Sequence, residues 1–382
     1  MKQPFTVEWS DNQVHEVLER VRTTPLPPAP AGSGWNYGCD PDYLARLQQH
    51  WVNGYDWRAA MADLNRFPQF IATLDGLDIH FVHVQGESKG KRPLILTHGW
   101  PGSHHEFWHL IEPLAFPSRF GGRPEDAFDV VVPSLPGYGF SGKPQGPTRQ
   151  STTAALWNKL MTEVLGYKTY LAQGGDWGSI VTSWMGLNHG DAVKAIHLNM
   201  MAFRSMTPPQ NEAEQQWMQA VQGAQMAYSG YSAVQIFKPQ SLVWASAGNP
   251  LGQAAWIAER FHDWSDLRER SFDEVHPMDA LLTNIMLYVM TDSFATATWF
   301  YAGVALDGFV VLPPGQRCET PTTYANFPGD ALLPSPPRSR MELTYNVQGW
   351  TDFPSGGHFA ALERPVEFLS SVQEWGRRVW PL

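Results

Sequence analysis

Between residues 77 and 202 the chain repeats one pattern: a short apolar run, a loop rich in Gly or Pro, then a stretch with helical spacing. "LDIHFVHVQG" alternates as a strand does, while "RPLILTHGW" and "AFDVVVPSLPGYGFSG" are apolar runs that end in loops. "TTAALWNKLMTEVLG" is helical, "KTYLAQGGDWGS" runs from strand into turn, "IVTSWMGLNHG" is helical and "VKAIHLNMM" is strand-like. Strands alternating with helices at this spacing predict an α/β fold, a mostly parallel sheet with helices on both faces. In such a sheet chemistry collects in the loops after the carboxyl ends of the strands, here after Thr97, Pro133 and Gln173.

The flanking segments read differently. Residues 1–75 form a lead-in, with Val14, Val17, Leu18 and Val21 at helical spacing. That helix stops at "TTPLPPAPAGSG", which is extended or looped, and "PDYLARLQQHWVNGYDWRAAMADLNRF" is a second helical stretch. Residues 203–312 carry helical patterns with no strand between them, among them "PLGQAAWIAERFHDWSD" and "MDALLTNIMLYVMTDSFATATWFYAG", and are expected to form a helical cap over the sheet. Alternation resumes in "TPTTYANFPGD" and "MELTYNVQGWTDFPSGGH" and ends in a helix, "PVEFLSSVQEWGRRVW". The expected organisation is therefore a segment 1–75, a core of 76–202 and 313–382, and a cap of 203–312.

Composition narrows the function. Of 382 residues, 43% are apolar and 17% charged, which suits a compact enzyme and excludes a disordered chain. The net charge of −10 and the lack of any basic run argue against nucleic acid or an anionic membrane as partners. The 17 Trp residues belong mostly to the core, but also suit an aromatic-lined pocket for an apolar ligand. No run of 18 apolar residues is present and "MKQPFTVEWSD" lacks a signal peptide's apolar segment, so a soluble cytoplasmic protein is expected. Cys39 and Cys318 are expected as free thiols of a reducing compartment.

The loop after Gln173 carries the sharpest signal. In "GGDWGS", glycines allow a tight strand-to-helix turn that exposes the central Asp176, where hydrolase elbows of the form G-x-S-x-G carry serine. Alone, Asp176 would equally suit a helix N-cap. A carboxylate there is already an anion, and the helix start directs N–H groups at it. It suits displacement at a saturated carbon, giving an alkyl ester that water must then cleave with the help of a general base and an oxyanion hole. Chain order in such folds runs nucleophile, acid, histidine. "FPSGGHFAALERP" supplies His358 and "NFPGDALLP" supplies Asp330, which would orient it. The loop "IHLNMMAF", where the acid could otherwise sit, holds Asn199 and no carboxylate. The oxyanion hole is expected from the backbone N–H groups of Trp177 and of Trp100 in "THGWPGS", each worth about 3 kcal/mol or more. His98 is expected to be a structural hydrogen-bonding residue of that loop.

With these residues assembled, the chain resembles the epoxide hydrolases of the α/β-hydrolase superfamily, in the microsomal-type branch that includes juvenile-hormone and fungal enzymes. "WNYGCDPDYLARLQQHWVNGYDWRAAMADLNRFPQF" is similar to that branch's N-terminal domain, and "HGWPGS", "LPGYGFSGKP", "GGDWGS", "FPGD" and "GGHFAALERP" resemble its core motifs in order. The resemblance implies an α/β-hydrolase fold with a helical cap and an N-terminal wrapping segment. It implies a cofactor-free and metal-free enzyme that converts a hydrophobic epoxide to a vicinal diol, and it is compatible with a homodimer. It further implies two cap tyrosines that donate hydrogen bonds to the epoxide oxygen: Tyr301 in "SFATATWFYAG" and Tyr231 in "SGYSAVQIFKP", with Tyr228 as a near rival of Tyr231. The chain departs from the branch in lacking the N-terminal anchor of its membrane members and in carrying "VRTTPLPPAP" in place of a basic, Trp-containing stretch. Two other readings share the residues: a haloalkane or haloacid dehalogenase with the same Asp nucleophile, and a catalytically silent binding protein of the same fold.

Overall fold

The computed structural model describes residues 1–88, 90, 92–313 and 315–381. In chain order its strands are β1 (Gln3–Phe5), β2 (Gln69–Leu74), β3 (Leu77–Val84), β4 (Pro93–Thr97), β5 (Asp129–Pro133), β6 (Tyr170–Gly174), β7 (Val193–Leu198), β8 (Arg204–Ser205), β9 (Val311–Leu312), β10 (Cys318–Asn326) and β11 (Tyr345–Asp352). Nine of them form one sheet in the order β1-β2-β3-β5-β4-β6-β7-β10-β11. From β5 onward in that order every pairing is parallel, while β1, β2, β3 and β5 pair antiparallel. This is the mostly parallel sheet that the alternation predicts, in the arrangement implied by the resemblance to the α/β-hydrolases. Strands β4, β5 and β6 are buried at every position, as strands covered on both faces must be. Ile95 packs into the apolar layer on one face, and Leu94 and Leu96 pack into the layer on the other, with Phe368 and Trp375 of the last helix.

The lead-in differs from its sequence reading in one respect. Its strands β1 and β2 extend the main sheet, so residue 75 lies in the β2–β3 hairpin turn and not at a break between structural layers. Asp75 and Gly76 both have positive φ (49° and 82°), the conformation a tight two-residue hairpin needs. Helix Asp11–Thr23 opens with a capping box between Ser10 and Gln13. The second helical stretch divides into Pro41–Asn53 and Trp57–Leu64, with Asp56 capping the latter.

Between β8 and β9 lie the helices Glu212–Tyr228, Gly230–Phe237, Pro239–Ser246, Pro250–Trp264, Met278–Met290 and Phe294–Leu306. β8 and β9 pair in parallel across the neck of this insertion. The continuous pattern in "MDALLTNIMLYVMTDSFATATWFYAG" is broken at Asp292, whose φ of 51° ends one helix before the next begins. Cys39 and Cys318 are free thiols. Among the described residues no helix is long and apolar enough to cross a membrane.

Candidate active site

β6 runs through Gly174 and Gly175 into helix Asp176–Asn188, and Asp176 occupies the bend with φ 47°. Left-handed backbone at a non-glycine residue is strained, though aspartate tolerates it better than most, and such strain clusters at functional positions. Close packing explains the neighbouring glycines. A Cβ on Gly178 would strike the carbonyl of Thr97, and one on Gly99 would strike the Asp176 side chain.

Three side chains then meet. Asp176 Oδ1 accepts the peptide N–H of Trp100 at 2.8 Å, and Asp176 Oδ2 lies 3.2 Å from His358 Nε2. His358 Nδ1 lies 2.9 Å from Asp330 Oδ2. Asp330 is itself fixed, its Oδ1 accepting the N–H groups of Leu332 at 2.9 Å and Leu333 at 3.0 Å. The imidazole is 2% exposed, and the side chains of Asp176 and Asp330 are 15% and 9% exposed, so little water screens them. Burial alone would push the imidazole pKa down. The flanking Asp330 and Asp176 carboxylates outweigh burial and hold it well above the usual histidine value, which makes the resting site carboxylate–imidazolium–carboxylate. Trp177 carries the first peptide N–H after Asp176, at a helix start where amides lack intrahelical partners.

Tyr231 and Tyr301 line the same cavity as Asp176, a space of about 330 Å³. The Trp100 ring packs against both, stacked on Tyr231 at 5.3 Å and edge-on to Tyr301 at 5.4 Å. The two phenols are neighbours, with ring centres 5.7 Å apart. The Tyr301 hydroxyl is buried beside the Tyr231 phenol, in an interaction that favours protonated Tyr301. Burial pushes both phenol pKa values far up, so both stay protonated donors. Tyr228, at the end of its helix, lines a separate open hollow beside Pro328. His98 accepts the N–H of Leu135 at Nε2 and contacts the Gly99 carbonyl through Nδ1; burial lowers its pKa to about 4 and keeps it neutral. Asn199 accepts from Gln173 at 3.0 Å behind the turn.

Sequence reasoning missed what holds the histidine loop. Glu363 accepts the N–H groups on both sides of His358, from Gly357 at 2.8 Å and Phe359 at 2.9 Å, and also that of Asp266 at 2.8 Å. Burial outweighs these donors and pushes its carboxyl up to about 7. Asp266 accepts the N–H of Gly356 at 2.9 Å, and the His358 N–H donates to the Trp264 carbonyl at 3.0 Å. The only signal in the sequence was the Glu inside "GGHFAALERP". Glu106 was also passed over: it lies behind the Trp100 loop, and burial pushes its carboxyl up to about 8. Among the described residues no group of three or more His, Cys, Asp or Glu is arranged to hold a metal.

An anion in a strained turn, a histidine between two carboxylates and two buried phenols across an apolar cavity can together perform displacement followed by hydrolysis. Comparison with known proteins is consistent with that chemistry. A family model described as "Epoxide hydrolase N terminus" matches residues 2–107, and one described as "alpha/beta hydrolase fold" matches residues 92–253. The chain is 36% identical to a putative epoxide hydrolase of Stigmatella aurantiaca, over 98% of this chain and 85% of that one. It is 32% identical to epoxide hydrolase 1 of Oryctolagus cuniculus, over 95% of this chain and 86% of that one. The solved epoxide hydrolase of Aspergillus niger superposes with a TM-score of 0.85 at 31% identity, over 100% of this chain and 97% of that one.

Proposed function

The chain belongs to the epoxide hydrolases with an α/β-hydrolase fold, which are hydrolases acting on ether bonds, and from that premise we propose that it converts a hydrophobic epoxide and water to a vicinal diol through an ester on Asp176. Asp176 Oδ2 attacks an epoxide carbon from the side opposite the breaking C–O bond, while Oδ1 stays against the Trp100 N–H. Tyr231 and Tyr301 donate to the epoxide oxygen, and one of them gives up its proton as the ring opens. Alkylation removes the Asp176 charge. The imidazolium of His358 then holds its proton less tightly and returns it to the tyrosinate. Neutral His358 next takes a proton from water, whose oxygen adds to the ester carbon. The Trp100 and Trp177 N–H groups carry the resulting oxyanion. His358 finally protonates the departing alkoxide, and Asp176 keeps the oxygen that came from water. The segment 203–312 acts in this scheme as the cap that brings both phenols over the nucleophile.

The observation that carries the reading is Asp176 itself, held by the Trp100 N–H on one oxygen and 3.2 Å from His358 on the other, in a cavity whose wall carries the Tyr231 and Tyr301 phenols. Repeated turnover of styrene oxide in oxygen-18 water tests the scheme. Label is expected in the Asp176 carboxyl and, in the first turnover, not in the diol. Direct labelling of the first diol, with Asp176→Ala still active, would overturn it. Halide release from a chloroalkane, without diol formation from any epoxide, would instead establish the dehalogenase reading.

A further inference from the structure

The cavity that holds Asp176 does not end at the phenols. It adjoins a second chamber of about 520 Å³, and Met201, Arg204, Gln225 and Leu333 line both. The chamber wall is apolar at Trp217, Met218 and Val221, with amide groups at Gln219 and Gln222. Two arginines face it, and they differ in what they already hold. Arg340 donates to the carbonyls of Thr207 and Ser205 at 2.6 Å each and lies 3.9 Å from the Glu214 carboxylate. Arg204, the first residue of β8, pairs with Val311 through its backbone, while its guanidinium makes no hydrogen bond or ion pair among the described residues. It is open to solvent yet set in a concave wall, and this partial burial lowers its pKa with no carboxylate near enough to offset it. Apart from Asp176 itself, no Asp or Glu among the described residues lines either space.

We propose that the epoxide substrate carries a carboxylate on a linear apolar arm, and that Arg204 receives it where the two spaces join. This deepens, and rests on, the epoxide hydrolase reading of the Asp176 site. A guanidinium matches a carboxylate with two parallel N–H···O bonds, and a cation in a concave wall with no competing acid is a stronger anchor than one on an open surface. Met200 and Met201 line the cavity together with Arg204 and Asp176, and their flexible thioethers accommodate a chain without fixing its shape. The epoxide would lie at Asp176 while the charged end stays in the wetter chamber.

The test uses the full-length protein and a series of terminal epoxides whose chains end in a carboxylic acid or its methyl ester, with chain length increased stepwise. At one length the acid is expected to show a KM on the order of tenfold below that of its ester, an advantage that shrinks with added salt. Arg204→Gln should bring the acid-to-ester ratio close to one, and Arg204→Lys should keep part of it. Equal KM values for acid and ester at every length, or a preference that survives Arg204→Gln, would overturn the proposal. Calorimetric binding of the saturated fatty acid of matching length reads the anion contact without turnover. Arg204-dependent binding in a wild-type protein that hydrolyses no epoxide would support the anion site and refute the underlying activity. Binding that is absent, or unaltered by Arg204→Gln, would refute the site itself.

Discussion

His358 lies between two carboxylates, and its charge state follows from theirs. Because its folded pKa is raised above the unfolded value of about 6.5, the imidazolium adds stability that is complete below that value. The contribution is lost as pH rises through the higher folded value. The melting temperature of the wild type should therefore exceed that of His358→Gln most at about pH 6, and the margin should narrow steadily into the alkaline range. Thermal melts across pH measure this, and a margin that widens on going alkaline would contradict the charged resting state. Asp176 and His358 were legible in the sequence because each is announced by its own glycines, which the local turn requires. Tyr231 was separable from Tyr228 only in three dimensions, since the two lie three residues apart and only the first lines the Asp176 cavity. Arg204 gave no signal, because what distinguishes it is the lack of a neighbour.

At the scale of elements, the histidine loop is held by a device that sequence patterns do not expose. Glu363 begins no obvious motif, yet it gathers three backbone N–H groups from two separate stretches of chain. Removing its carboxylate leaves three buried donors unmet, each worth about 1–3 kcal/mol. Glu363→Ala should destabilise the fold by about 3 kcal/mol or more by chemical denaturation, and should slow hydrolysis of the Asp176 ester more than its formation. Rapid-quench detection of accumulating ester distinguishes this positioning effect from a general loss of folded protein. The strands were read from their apolar runs, and the run of strand, turn and helix around Asp176 follows directly from "YLAQGGDWGS". Strands β1, β8 and β9 were missed because two or three residues carry no periodicity, and β2 because its six residues follow closely on the helical stretch before them. The joined reading of "MDALLTNIMLYVMTDSFATATWFYAG" failed because Thr291, Asp292 and Ser293 stop the helix through one backbone angle at Asp292, while the apolar spacing continues on both sides.

Over the whole molecule the question is whether the segment 203–312, the cap of the proposed scheme, can lift away from the core during turnover. Helix Pro250–Trp264 and the residues just after it are stitched to the histidine loop: Trp264 accepts the His358 N–H, Asp266 accepts the Gly356 N–H, and the Asp266 N–H returns to Glu363. A lifted cap would therefore unmake the base loop that the second half-reaction needs. Asp266 is the charged member of this seam, and its bidentate hydrogen bonds from Arg268 and the Gly356 N–H depress its pKa well below the usual aspartate range. A depressed carboxylate adds stability that is present above its unfolded value of about 3.9 and lost as pH falls toward the lower folded value. Asp266→Asn should lower stability at neutral pH while flattening its decline below about pH 4. Hydrogen exchange supplies the spatial check. The amides of Gly356 and His358 should exchange among the slowest in wild type and together become faster in Asp266→Asn, while those of helix Pro239–Ser246, whose Trp244 is exposed, stay unchanged. Equal acceleration at the Gly356 and His358 amides and in helix Pro239–Ser246 would mean that the cap moves as one lid, and that the seam does not fix it to the catalytic base.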